Sequence, residues 1–235
     1  QVIPTGGYGM NTGIGDATAL GWVLAAQVKG WGGPRLFEAY EAERRHVGER
    51  NRHASFRHAN LRMRIRADYS EAIHDDSDAG ADARAKHGAY IKELGNLENE
   101  AWGIEWGYRY DNSPVICYDD GPAPAYDWEE YEPSSYPGVR PPNVFLDDGQ
   151  PLFDRFGEAF TVISFNGKST DSLASAAQEA GLPLNVLSVD HAVAKDLYDR
   201  NLVLIRPDQH VAWRGNEAPD SDTAKRIIDT VRGVL

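Results

Sequence analysis

Residues Pro4-Thr5-Gly6-Gly7-Tyr8-Gly9-Met10-Asn11-Thr12-Gly13 place four glycines in ten positions immediately ahead of a helical pattern. Glycine admits positive φ and lets a backbone approach a ligand closely. A helix start adds unpaired N–H groups and a partial positive charge. The chemistry open to such a segment is to hold an anionic or electron-rich edge of a ligand, with an ordinary structural turn as the competing reading. Two phosphate motifs are excluded by spacing. No Gly-Lys-Ser/Thr follows, as a Walker loop requires, and too few residues precede the glycines for the strand that opens a dinucleotide-binding βαβ unit.

The elements around this segment read in three regions. A helix is predicted over 14–29, with Ala17, Leu20, Val23, Leu24 and Val28 on one stripe, ended by Gly30-Trp31-Gly32-Gly33-Pro34. A second helix runs from Leu36 into 53–66, with Leu36, Tyr40 and Val47 apolar and strongly basic later turns. Residues 68–82 read as an acidic exposed connection, and helical character resumes over 83–102. The alternation in Gly103-Ile104-Glu105-Trp106-Gly107-Tyr108-Arg109-Tyr110 predicts a half-buried strand, with a turn at Asn112-Ser113-Pro114 and a return over Val115 to Tyr118. Residues 119–142, rich in Pro, Gly, Tyr and Glu, read as a linker wrapped over a surface, its tyrosines acting as packing anchors. From Asn143 onward the pattern is a compact α/β unit. It has strands at 160–165, 184–189, 202–205 and 210–214, a helix at 172–180 and an amphipathic closing helix at 222–234.

Charge and cysteine content limit the functions available. With 36 acidic and 24 basic residues the net charge is -12, which disfavours nucleic acid and anionic membrane surfaces and leaves small molecules as the default ligands. Cys117 stands alone, so an internal disulfide, a dithiol pair and a cysteine zinc cluster are all excluded, and a reducing, cytoplasmic setting is expected. No apolar run reaches the roughly 20 residues of a membrane span. Arg44 and Arg45 could bind phosphate, but helix ion pairs with nearby acids are the more ordinary reading. His46, His53 and His58 lack a carboxylate-supported metal spacing, and no metal ligand is assigned. The acids at 75, 76, 78 and 82, and at 129, 130 and 132, read as solvated surface, and Trp106, Tyr108, Tyr110 and Trp213 as core or interface aromatics.

A larger pattern emerges when motifs are read in order. Pro4, Gly7, Gly9, Asn11, Gly13, Ile14, Asp16 and Ala17, followed by Tyr40, Glu41, Glu43, Arg44 and Arg45, resemble the second flavin-contacting segment of FAD-dependent aromatic hydroxylases of the p-hydroxybenzoate hydroxylase type. Pro137-Gly138-Val139-Arg140-Pro141-Pro142 is similar to a junction in the phenol-hydroxylase-like members, with Asn143 where those proteins usually carry His. Residues 204–214 are similar to the end of the same members, whose last domain is thioredoxin-like. Here the loop after its first strand is Asn166-Gly167-Lys168-Ser169, without the sulfur pair that thiol exchange needs.

The resemblance implies an α/β chain: a helical tail of an FAD-binding domain (1–102), a strand pair and linker (103–142) and a thioredoxin-like domain (143–235). It implies FAD as cofactor and NAD(P)H as co-substrate, with hydroxylation of a phenolic or other aromatic ring through a flavin C4a-hydroperoxide. The implied cofactor contacts are Pro4, Gly7, Gly9, Met10, Asn11 and Thr12, with a helix starting near Gly13 and Asp16 as a first-turn acid. No catalytic residue is assigned within the chain. The expected partners are a missing N-terminal FAD-binding portion, a phenolic small molecule and, through the last domain, further copies of the chain in a homo-oligomer. A non-catalytic module that mediates subunit association is the alternative.

Overall fold

The computed structural model describes residues 2–95, 98 and 100–235. Gly6 and Gly7, at φ 78° and 73°, turn the chain through a short 3-10 segment directly into helix α1, Tyr8–Val28. The helix therefore begins five residues before the expected start near Gly13, and Asp16 lies in its third turn instead of its first. Tertiary packing explains the early start, because Tyr8 is buried against His58 with ring centroids 5.7 Å apart. The expected stripe is also rotated. Ala19, Trp22, Val23 and Ala26 face the core, whereas Leu24 and Val28 are 46% and 88% exposed. Both faces of this helix are apolar, and the tryptophan side, which offers the larger area to bury, turns inward.

Helix α2, Arg35–Ala67, folds back along α1 after the glycine-rich turn. Leu36 and Val47 are buried on it as predicted, Tyr40 is half-buried, and Ala39 joins the buried side. Helix α3, Asp78–Gly95, begins inside the stretch read as an exposed connection and packs on α2. The strand predicted over 103–110 is absent. Trp102–Glu105 forms one helical turn, α4, and beyond it only Arg109 makes an isolated bridge, to Val139. Alternating glycines and aromatics mimic a strand, yet no neighbouring ladder accepts the segment, and backbone pairing decides.

The C-terminal unit matches its predicted pattern closely. Strands β1 Phe160–Phe165, β2 Leu184–Val189, β3 Leu202–Ile205 and β4 Val211–Gly215 form one sheet in the order β2-β1-β3-β4. The β1–β2 pair is parallel and joined by α5, Asp171–Glu179, as a crossover connection requires; β3 and β4 pair antiparallel. Helix α7, Ser221–Val231, closes the unit. Helix α6, Ala192–Tyr198, was not anticipated, since seven residues are too few for a helical period to emerge.

Each face of the sheet has its own core. Phe160, Val162, Leu204 and Ala212 pack with Trp22, Trp31 and Leu36 of the N-terminal region, and with α5 and α7. Trp22 and Trp31 meet the Phe160 ring edge-on at 6.1 and 6.0 Å. The opposite face, with Ile163, Phe165, Val203 and Ile205, is covered by Tyr136, Val139, Leu152, Phe156 and Tyr198. The linker also protects the edge of β4. Cys117 N–H donates to the Ala212 carbonyl at 2.8 Å, Gly138 N–H to the Val211 carbonyl at 2.8 Å, and Val211 N–H to the Val139 carbonyl at 2.9 Å.

Candidate functional site

Helix α2 carries a polar stripe, Arg44, Asn51, Ser55 and His58, at three-, four- and seven-residue spacings on the face turned toward α1, and all four are buried. Each braces the start of α1 or the residues leading into it. Arg44 Nε donates to Asp16 Oδ1 at 2.8 Å, Nη1 to the Tyr110 hydroxyl at 3.0 Å and Nη2 to the Thr12 carbonyl at 3.3 Å. Asn51 Nδ2 donates to Thr12 Oγ1 at 2.8 Å, and Thr12 Oγ1 donates to the Tyr8 carbonyl at 2.7 Å. The Ser55 hydroxyl reaches the carbonyls of Ile3 and Thr5, and His58 Nε2 lies 3.1 Å from the Tyr8 hydroxyl. Gly15 makes room for this bracing. A Cβ there would sit 2.8 Å from Arg44 Nη2.

Burial sets the protonation of the Tyr8–His58 pair. It raises the Tyr8 phenol to about 12, reinforced by the negative charge of Glu105, and lowers the His58 imidazole, so the pair is neutral near pH 7. Burial opposes the charge on Arg44, but Tyr110 and Asp16 outweigh it and raise its pKa.

The N-terminus of α1 is left bare. Its N-cap is Gly7, no side chain caps it, and no acid lies in its first turn. Helix α7 shows the ordinary alternative, with Asp220 accepting the Thr223 N–H at 2.7 Å and Asp222 in the first turn. Pro4, Gly7, Gly9, Met10 and Asn11 are all exposed around this bare end, and a Cβ at Gly7 would meet nothing within 4 Å. Thr12 differs from them. It is buried, and its side chain is committed to Tyr8 and Asn51. The site can thus present uncompensated backbone donors to an electron-rich ligand edge across open space, while α2 holds the donors in place.

Sequence reasoning overlooked Tyr8, Arg50, Asn51 and Ser55, although the polar stripe at helical spacing on α2 was a usable signal. Arg50, Tyr108 and Trp106 line a cavity of about 420 Å³ beside the helix start. Trp106 is 49% exposed, so of its two readings, core or interface aromatic, the core one does not hold. Arg45 pairs with Glu41 on the surface at 2.5 Å, and Arg44 is absorbed by Asp16 and Tyr110. His46 and His53 do not join His58, and no group of three or more metal-type ligands occurs among the described residues.

A second buried network lies between α2 and the sheet. Arg206, 1% exposed, donates from Nη1 and Nη2 to the two Glu43 oxygens at 2.6 and 2.9 Å, and from Nη2 and Nε to the Asp208 oxygens at 2.5 and 3.1 Å. The Ser113 hydroxyl adds a 2.5 Å bond to Glu43. The rings of Trp22 and Tyr110 lie 5.0 and 5.3 Å from the Arg206 guanidinium carbon.

A bare helix start fed by tandem left-handed glycines, braced by a long helix that also packs on a thioredoxin-like sheet, defines the C-terminal part of a flavoprotein hydroxylase. Residues 1–55 match the family model described as FAD binding domain, and residues 134–234 match that described as aromatic-ring hydroxylase, C-terminal. The chain belongs to the FAD-dependent aromatic-ring hydroxylases and corresponds to their C-terminal part. It is 38% identical over 238 residues to the FAD-dependent monooxygenase opdD of Penicillium oxalicum, covering 97% of this chain and 45% of opdD. It is 31% identical over 254 residues to the 4-methyl-5-nitrocatechol 5-monooxygenase of a Burkholderia species, covering 100% of this chain and 42% of that protein. Among solved structures, the rebeccamycin biosynthetic enzyme RebC with reduced flavin superposes with a TM-score of 0.86 at 35% identity, covering 100% of this chain and 44% of RebC. The chain spans less than half the length of these relatives. Among the described residues, no helix is long and apolar enough to cross a membrane.

Proposed function

We propose that this chain supplies one wall of the FAD site of an aromatic-ring monooxygenase, with Pro4, Gly7, Gly9, Met10, Asn11 and Thr12 as cofactor contacts. The observation that carries this reading is the uncapped, acid-free start of α1, which coincides with the residues that match the FAD binding domain. When bound, the flavin supplies the chemistry with NAD(P)H and O2 that places an oxygen atom on a phenolic or other aromatic ring. The protein's part is electrostatic and positional. First-turn N–H groups and the positive helix end favour negative charge at the N1/O2 edge of the isoalloxazine. Arg44 and Asn51 fix the Thr12 peptide, so these donors need not reorganise when charge appears. Exposed Pro4 and Gly7 leave a bare surface on which a flat ring can lie.

The same reading has the site completed by a further polypeptide segment of the kind the longer relatives contain. Met10, Ile14, Leu24 and Val28 form an apolar stripe along α1, with exposures of 74%, 57%, 46% and 88%. A stripe of this size at helical spacing is the usual mark of an interaction surface. The test is to purify the chain alone and together with the N-terminal half of opdD, then measure retained flavin by absorbance and fluorescence. The pair is expected to retain FAD, and Met10→Glu, which adds negative charge at the helix start, is expected to weaken that retention. Absence of bound flavin both alone and in the pair overturns the reading.

A further inference from the structure

The loop after β1 carries a reactivity of its own. Asn166–Gly167 is the one asparagine–glycine step in the sequence, and every other asparagine precedes a residue with a side chain. The step forms the tip of a tight turn, closed by the Lys168 N–H on the Phe165 carbonyl at 3.3 Å. Both residues are exposed and left-handed, with φ 56° at Asn166 and 64° at Gly167, a conformation that these two residue types adopt most readily. The reacting atoms are unguarded. Among the described residues the Gly167 N–H has no hydrogen-bond partner, and a Cβ at Gly167 would meet nothing within 4 Å. The Asn166 side chain is tied down by one long bond, from Nδ2 to Asn201 Oδ1 at 3.3 Å. Asn112–Ser113 shows the guarded alternative. Asn112 is likewise exposed and left-handed, at φ 60°, but the nitrogen that follows it belongs to a buried residue and donates to the Tyr118 hydroxyl at 2.8 Å.

We infer that Asn166 is a site of spontaneous deamidation that converts this turn to isoaspartate. Solvent base removes the Gly167 amide proton, the freed nitrogen attacks Asn166 Cγ, and the Cγ–Nδ2 bond breaks as ammonia departs with a proton from water. The product is a succinimide ring. Water then opens the ring, at the N–Cγ bond to leave aspartate, or at the bond from the same nitrogen to the Asn166 carbonyl carbon to leave isoaspartate. Nothing is oxidised or reduced, and water is the only co-reactant. Both reacting groups belong to adjacent residues, so the attack is intramolecular and the turn holds them close. A side chain on the attacking residue would crowd its nitrogen, and glycine has none. The change falls where β1 is joined to α5. Isoaspartate lengthens the main chain by a methylene between the Phe165 carbonyl and the Lys168 N–H, which disrupts the turn and the 2.6 Å bond from Ser164 Oγ to the Lys168 carbonyl. The new carboxylate lies two residues from Lys168, whose Nζ is bound by both Glu217 oxygens at 2.8 Å. The reaction requires neither flavin nor a second polypeptide, so it stands apart from the FAD reading.

The experiment is to incubate the purified, folded chain at neutral pH and body temperature and to digest samples taken over time. Peptide mass spectrometry then reads the gain in mass when the side-chain amide becomes a carboxyl. Isoaspartate is counted in each peptide by methyl transfer from S-adenosylmethionine with an isoaspartyl methyltransferase. A synthetic peptide spanning Phe165 to Lys168 is aged alongside as the unfolded reference. The peptide carrying Asn166 is expected to gain mass and become a methyl acceptor, while the peptide carrying Asn112 keeps its mass. Isoaspartate formed at the aspartyl–glycine steps Asp120–Gly121 and Asp148–Gly149 involves no change in mass, so it cannot be mistaken for this reaction. Asn166→Gly, which accepts the left-handed turn, should lose the methyl-accepting signal from that peptide altogether. An Asn166 peptide unchanged in mass after the synthetic reference has fully reacted, a gain at Asn112 equal to that at Asn166, or a gain in mass at Asn166 without isoaspartate, each overturns the proposal.

Discussion

Two arginines in this protein are almost equally buried and have opposite surroundings. Arg206 is enclosed by two carboxylates and two aromatic rings, and all of its side-chain nitrogens have acceptors. Arg50 also has two rings beside it, Tyr108 and Tyr126 at 5.2 and 5.5 Å, but it meets no carboxylate: its acceptors are a hydroxyl, an amide oxygen and a backbone carbonyl, its Nε is orphaned, and it borders a cavity. The helix ends repeat the contrast, with α7 capped by Asp220 and α1 bare at Gly7. Closed polar networks fix the packing of α2 on the sheet. Open ones lie around the start of α1, where the proposed reading places a ligand, and an unsatisfied buried group is tolerated where something else can satisfy it.

The contrast breaks most visibly at Arg206. Arg206→Met leaves Glu43 and Asp208 buried without a cation, and chemical denaturation should show a loss of about 3–5 kcal/mol, the usual result of removing one partner of a buried pair. A smaller effect should appear in acid. Burial alone would raise the Asp208 pKa, but the attraction of Arg206 and His210 prevails and holds the carboxyl well below the ordinary range. A depressed carboxylate contributes stability that is present above the unfolded value near 3.9 and is lost as pH falls toward the folded value. Thermal unfolding from pH 6 down to pH 2 should therefore show stability falling below about pH 4. Asp208→Asn should flatten that decline; an unchanged slope would place the proton uptake elsewhere. At the surface the contrast should vanish. Arg45→Ala removes a pair whose side chains are both 67% exposed, and its cost should stay within about 0.5 kcal/mol.

What could be read from sequence follows the same division between local and distant causes. Strands β1, β2 and β3 were visible because each is a short apolar run bounded by turn residues. The sheet order was not legible, because it depends on the antiparallel pairing of β1 with β3, strands far apart in the sequence that no local pattern joins. Helix α1 was legible as a helix but not in rotation, because Met10, Ile14, Leu24 and Val28 repeat on one side as regularly as Ala19, Trp22, Val23 and Ala26 do on the other. The 103–110 segment misled because glycine–aromatic alternation carries no information about a pairing partner. In the site, the glycine-rich start announced itself, since its residues are contiguous. The cavity did not, because Arg50, Tyr108 and Arg140 come together only through the path of the linker. Asp16 was misassigned for a related reason: its role depends on Arg44, 28 residues away on the next helix.

The Glu43–Arg206 pair spans 163 positions and joins α2 to the residue that follows β3 in the terminal sheet. Its charges compensate one another only within the same molecule. An exchange of C-terminal halves between relatives, by recombination or in the laboratory, would therefore be inherited safely only when both positions travel together or change in concert. Aligned relatives should show residues 43 and 206 varying as a couple, and a crossover in the linker between them would be viable chiefly among parents that already share the pair.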